Sequence, residues 1–210
     1  MRKVFVLLVA AACAFPLFAS AAEYTLNPTA DSPVYGYLPT SNYGSQSYGF
    51  WGFYNGYGMR TLNKYDLTSV TGTVAKVELS FQLQQNNNAT GKMWACKVNG
   101  DWQEMTVTWN TQPTHDDTAA TGRMLDIDWV TGLGPFRVDC TAVAVTVVQG
   151  WINTPATNYG LILKKDPETG VTPRCYPYMK ESTYQPVRLI VTTTSGVEPN
   201  SLGRVKALFK

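Results

Sequence analysis

Residues 35 to 58 hold six of the chain's twelve tyrosines, together with Phe50, Trp51 and Phe53, and six glycines are interleaved among them. An aromatic ring offers a flat face to the C–H groups of a sugar, and glycine lets the backbone bend tightly enough to set rings side by side. Tyr48, Trp51 and Tyr54 are the rings expected to form such a stacking platform. The competing reading is that most rings in this segment finish the core and cover loops. Just beyond it, Arg60 and Lys64 stand four residues apart in an extended pattern. On a strand they leave the same face, about 13 Å apart. Such a ladder of cations can pair with the carboxylates of an acidic polymer. The alternative is internal, with Arg60 paired to Asp66 or Glu181 and Lys64 filling surface.

Catalytic chemistry is poorly supplied. The single histidine, His115, sits in a Thr-His-Asp-Asp stretch that reads as a solvated turn, and neither a Gly-x-Ser-x-Gly nor a His-Glu-x-x-His pattern occurs. A glycosidase needs two carboxylates straddling one bond; Glu104 and Glu181 are available, but nothing in the spacing sets them across a cleft. A lyase acting on uronic acids would need a tyrosine or histidine base beside charge-neutralising groups. The chain is therefore read as a binder and not an enzyme, with no cofactor. Structural calcium is the one ion kept open: Asp116, Asp117, Asp126 and Asp128 are available to it, although no spacing specifies a site.

The elements that must position these residues are strands. Extended signals run over Val34–Leu38, Met59–Leu67, Val74–Leu83, Lys92–Val98, Thr106–Trp109, Arg123–Val130, Phe136–Val138, Tyr159–Leu163, Arg174–Lys180 and Val187–Thr193, separated by Asn, Gly, Pro and Thr. In residues 76 to 83 the alternation is strict, so Val77, Leu79, Phe81 and Leu83 should face a core while Lys76, Glu78, Ser80 and Gln82 face water. A Gly100 turn delivers Trp102, and Val107 and Trp109 alternate with Thr106 and Thr108 before Pro113 ends the run. From Thr141 to Ile152, Ala144, Val145, Val148, Trp151 and Ile152 recur at helical spacing, with Thr141 as cap; Val143, Val145 and Val147 alternate equally well as a strand. The fold class is all-β, an antiparallel β-sandwich of jelly-roll type with this one segment as a candidate short helix.

Both ends differ from the middle. Met1-Arg2-Lys3, an apolar run to Phe18 and Ala19-Ser20-Ala21 have the layout of a secretory signal peptide over residues 1–21. That run is too short, and too interrupted by Pro16, to anchor a membrane, so the mature chain is expected to be secreted, extracellular or at the cell surface, without a transmembrane segment. Loss of Arg2 and Lys3 brings the basic residues level with the fifteen acids, which argues against nucleic acid as a partner. Residues 22–194 form the expected β-sandwich domain. Residues 195–210 read as a linker and a short amphipathic tail, with Leu202, Val205 and Leu208 or Phe209 on one side, either disordered or docked on a cell-surface or secretion partner. Cys96, Cys140 and Cys175 are either three buried thiols or one disulfide and a free thiol, and their spacing does not suit zinc.

Taken in order, several short motifs resemble the DNRLRE-type domain, carbohydrate-binding module family 96. They are Asp31-Ser32-Pro33-Val34 with Ser41-Asn42-Tyr43-Gly44-Ser45, then Arg60-Thr61-Leu62-Asn63-Lys64-Tyr65-Asp66-Leu67, then Gly100-Asp101-Trp102-Gln103-Glu104 running on to Val107-Thr108-Trp109-Asn110 and Pro113. Val138-Asp139-Cys140-Thr141, Val148-Gln149-Gly150-Trp151 and Asn158-Tyr159-Gly160-Leu161-Ile162-Leu163 follow. The resemblance runs from about Ala30 to Thr193. It implies a non-catalytic module that recognises polysaccharide, with alginate-like uronic acids as the implied class. It also implies a helix over Thr141–Ile152 and a ligand-facing basic position at Lys180. The alternative function is a structural or adhesive surface protein that self-associates.

Overall fold

The computed structural model describes residues 21–87, 90–170 and 174–194. The expected signal peptide over 1–21, apart from Ala21, and the expected tail over 195–210 lie outside them. Thirteen strands and one helix follow in order: β1 (Ala21–Leu26), β2 (Pro28–Tyr35), β3 (Trp51–Tyr54), β4 (Tyr57–Tyr65), β5 (Thr73–Phe81), β6 (Leu83–Asn86), β7 (Lys92–Val98), β8 (His115–Asp116), β9 (Arg123–Asp128), β10 (Phe136–Asp139), α1 (Ala142–Asn153), β11 (Leu161–Asp166), β12 (Arg174–Pro177) and β13 (Arg188–Thr194). A four-stranded sheet runs β1-β13-β5-β10, and a nine-stranded sheet runs β6-β12-β3-β4-β11-β7-β8, with β2 joined to β4 and β9 to β7. Every pairing is antiparallel. The two sheets and α1 enclose the main core, which includes Trp51, Tyr65, Leu79, Phe81, Met93, Leu161, Leu189 and Trp151.

The alternation in β5 holds on its apolar side, where Val77, Leu79, Phe81 and the following Leu83 are buried. Its polar side departs at Glu78, which is expected in water and is buried. The cause is the neighbouring strand: Arg137 on β10 donates to both Glu78 oxygens, at 2.9 and 2.6 Å, and Lys76 approaches to 2.9 Å. The Arg137 hydrogen bond is the main reason the Glu78 carboxyl is held down to about 2, against an ordinary value of 4.5. A carboxyl depressed on folding stabilises the native state fully above its unfolded value, and that contribution drains as pH falls toward the folded one. Urea midpoints should therefore fall as the pH drops from about 4.5 to about 2. Glu78→Gln should flatten this part of the acid limb; an acid limb unchanged in the variant would remove Glu78 as its cause.

The segment Ala142–Asn153 is helical, and its buried face is Ala144, Val147, Val148 and Trp151, packed on β5 and β9. Thr141 stands at the N-cap position, but its hydroxyl donates to the Arg123 carbonyl at 2.7 Å and makes no cap bond. The stretch Thr106–Trp109 is not a strand. The amides of Thr106 and Val107 both donate back to the Gln103 carbonyl, and the Thr108 amide donates to the Thr111 hydroxyl, so local turns consume the donors a ladder requires. This loop instead lies over the outer face of the nine-stranded sheet. Trp102 and Val107 pack with Val34, Leu62, Trp94, Cys96, Val98 and Ile162 into a second apolar cluster, and the Trp102 indole N–H donates to the Tyr159 carbonyl at 2.9 Å. Gly160 closes the approach. Its φ is +82°, and a Cβ there would sit 2.0 Å from the Asn63 carbonyl oxygen, so no other residue fits without backbone movement.

Candidate functional site

The aromatic segment and β12 meet in one continuous group of rings. Tyr35 is its buried hub; it contacts Tyr37, Tyr43 and Phe50 at centroid distances of 5.8, 4.3 and 4.6 Å, and its hydroxyl donates to Gln46 at 2.7 Å. From there the group extends through Phe50 to Tyr176 at 4.7 Å and Tyr48 at 5.9 Å, and through Tyr37 to Tyr54 at 5.9 Å. Tyr37 is exposed at 37 %, and Tyr48 and Tyr54 are half-buried. The pairing of Arg174 with Gly52 brings β12 beside β3 and sets the Arg174 guanidinium 4.1 Å from the Tyr54 ring centroid. Its Nε donates to the Tyr176 hydroxyl at 2.6 Å. Among the described residues, Arg174 forms no ion pair, and its two terminal nitrogens have no acceptor. A second ring pair lies close by, with Tyr178 stacked on the exposed Tyr184 at 4.7 Å and Tyr178 bridged to Tyr48 through the backbone.

Tyr48 and Tyr54 thus belong to this surface, and Trp51 does not. Trp51 has no exposed surface; its indole N–H donates to the Lys164 carbonyl at 2.8 Å and its ring lies 5.5 Å from Phe81 in the core. Its expected part in a stacking platform is therefore corrected to a core role. Arg174, Tyr176 and Tyr37 were missed. Arg174 and Tyr176 are two apart on a recognisable strand, which puts a cation and a ring on one face, and that signal was legible. That they sit beside Tyr54 was not, because it depends on which strand β12 pairs with.

Arg60 and Lys64 do leave one face of β4, as expected, but each charge is met internally. Arg60 lies 4.6 Å over Trp109 and makes a two-pronged bond to Glu168, at 2.7 and 2.6 Å, rather than to Asp66 or Glu181. Lys64 lies 5.1 Å from the Trp102 ring and pairs with Asp101 at 2.7 Å. The same pattern continues along the sheet, where Trp94 carries Arg123 at 3.5 Å and Lys164 at 5.6 Å, paired to Asp126 and Asp117. His115 lies near this row; burial, then the charges of Arg60 and Lys164, push it down to about 4, so it is neutral at ordinary pH.

Lys180 stands apart from the rings. Its amide donates to Asp31 at 2.8 Å, and its ammonium pairs with Glu104 at 3.2 Å and with Glu181. Burial is the main cause that pushes the Asp31 carboxyl up to about 8. The four aspartates expected to be available to calcium do not converge: Asp116 accepts from Thr118 and Thr121, Asp117 pairs with Lys164, Asp126 with Arg123 and Asp128 with Lys92. Cys96, Cys140 and Cys175 are all free thiols, and burial pushes Cys96 up to about 12 and the other two higher. A cleft of about 600 Å³ beside α1 is lined by Lys97, Val98, Val143, Val147, Trp151 and Tyr159 among others, but Trp151 there is only 2 % exposed and offers no ring face. Among the described residues no helix is long and apolar enough to cross a membrane.

An antiparallel sandwich that carries rings at its surface and, among the described residues, an arginine without an ion pair beside them has the form of a sugar-binding module. Residues 22–193 match the sequence profile of carbohydrate-binding module family 96, and the chain belongs to that family. No curated protein matches the chain in sequence.

Proposed function

We propose that this protein is a secreted, non-catalytic module that holds an acidic polysaccharide of alginate-like uronic acids against the Tyr37–Tyr54–Arg174 surface. One observation carries the reading. The Arg174 guanidinium is stacked on Tyr54 and tethered through Nε to Tyr176, while its two terminal nitrogens are left without an acceptor among the described residues. A guanidinium fixed in this way presents a planar fork that matches a carboxylate in bidentate fashion. Tyr37, the most open ring of the group, supplies the flat face for the sugar's C–H groups. Arg60, Lys64, Lys164 and Arg123 support the reading less, since each already has a carboxylate partner. Lys180 likewise spends its charge on Glu104 and Glu181.

The test is affinity electrophoresis of the mature protein through gels containing alginate, other polyuronates or neutral glucans. Retardation is expected in the polyuronate gels and should weaken as salt is raised, because the contact is a charge pair at the surface. Equal mobility in every gel sinks the proposal, and retardation only by neutral glucans sinks its acidic part.

A further inference from the structure

Asp31 on β2, Glu104 in the loop after β7 and Glu181 in the loop after β12 bring carboxylate oxygens within 4.8 Å of one another, although they come from three distant stretches of chain. Two buried polar side chains make this more than a cluster of acids. Asp31 is 1 % exposed; its Oδ2 accepts the Lys180 amide, and its Oδ1 has no partner among the described residues. Asn63 is its register partner across the β2–β4 pair, so the two side chains leave the same face as neighbours. Asn63 is fully buried, and neither its amide oxygen nor its amide nitrogen has a partner. Leaving such groups unsatisfied in the interior forfeits their hydration with nothing in return.

We infer that Asp31, Glu104 and Glu181 form a calcium site, with the Asn63 amide oxygen beside it as a further donor. The donor set is all oxygen, three carboxylates and an amide, which suits a hard cation and excludes a preference for zinc. Calcium, with bonds of about 2.4 Å and a flexible coordination geometry, accepts carboxylates drawn from three separate stretches of chain, whereas magnesium demands a near-ideal octahedron and gives up its waters reluctantly. The Lys180 ammonium lies between Glu104 and Glu181 and is the competing counter-charge. Its side chain is 28 % exposed, so it can swing outward as the ion enters. The ammonium serves Glu104 and Glu181 and leaves Asp31 Oδ1 without a partner, whereas a divalent ion can be shared by all three side chains. Glu104 is already fixed for the purpose: its Oε1 accepts the Asp31 amide at 2.8 Å, and Gly44 packs so close to its backbone that a Cβ would lie 2.2 Å from the Glu104 carbonyl. An ion here would cross-link β2 to two long loops, and its effect falls on stability.

The inference is independent of the sugar surface, and its readout is unfolding. Mature protein freed of metal with a chelator is heated with calcium, with magnesium or with the chelator alone, and calcium binding is measured by calorimetry. Calcium at about 100 times its dissociation constant should raise the midpoint by about 5–10 °C, with a smaller response to magnesium. Glu181→Gln, at the exposed end of the cluster, should abolish both the rise and the binding heat. Lys180→Met should strengthen calcium binding by removing the competing ammonium. The same midpoint in calcium and in chelator, for the parent and for Lys180→Met, overturns the site. So does a calcium response that Glu181→Gln and Asp31→Asn leave intact, since the ion then sits elsewhere.

Discussion

Arg174→Ala lowers the affinity for a polyuronate by about 10- to 100-fold while leaving the unfolding midpoint close to that of the parent. The size follows from the bonds at stake. Hydrogen bonds to a charged partner contribute about 1.5–3 kcal/mol, and each 1.4 kcal/mol is a factor of ten in affinity. The small cost in stability follows from position, because Arg174 is half-buried, pairs with no acid among the described residues and leaves only the Tyr176 hydroxyl to find water. Arg174→Lys separates charge from shape. It keeps the cation but loses the planar fork and the flat stack on Tyr54, and it should recover only part of the lost affinity. Tyr37→Ala removes a ring contact and should cost several-fold more weakly, in line with about 0.5–1.5 kcal/mol for an aromatic contact. Lys97→Ala, in the cleft beside α1, is the control. Parental affinity in Arg174→Ala combined with loss in Lys97→Ala would move the binding surface to that cleft.

The sequence carried the sandwich because its strands are amphipathic in the simplest way. Val77, Leu79 and Phe81 point inward at a spacing of two, and Lys92–Val98 forms a strand with the bounds its residues suggest. The helix over Ala142–Asn153 is different, since its valines suit either period and only the family likeness separates the two. Side chains whose partners come from far away were not legible. The face of Arg60 was right, but Glu168, which neutralises it, is 108 residues distant. Glu78 obeys alternation in its direction and is still buried, because Arg137 from the next strand covers it. In the Gly-aromatic segment the period is broken by glycine, so nothing in the spacing says which rings turn inward, and Trp51 and Tyr54 look alike. The acid cluster of Asp31, Glu104 and Glu181 is invisible for the same reason: three loops and strands must fold before the carboxylates meet.

Trp51→Ala destabilises the fold by about 3–5 kcal/mol, the range for emptying a buried aromatic site. Two losses add: the indole leaves a cavity against Phe81 at the junction of the two sheets, and the Lys164 carbonyl loses the N–H that it accepts at 2.8 Å. A domain with roughly 5–15 kcal/mol of total stability then keeps little margin at physiological temperature. Any sugar binding lost in this variant reports unfolding, which makes it a poor probe of a platform. Trp51→Phe resolves the two roles. It retains most of the volume, gives up one hydrogen bond of about 1 kcal/mol and some packing, and should shift the urea midpoint modestly while polyuronate affinity stays at the parental level. Tyr54→Ala should behave in the opposite way, with stability nearly kept and affinity lost, because Tyr54 is the surface on which Arg174 lies. If Trp51→Phe lost affinity at an unchanged unfolding midpoint, the indole would have to reach the ligand, and a side chain with no exposed surface would have to turn outward to do so.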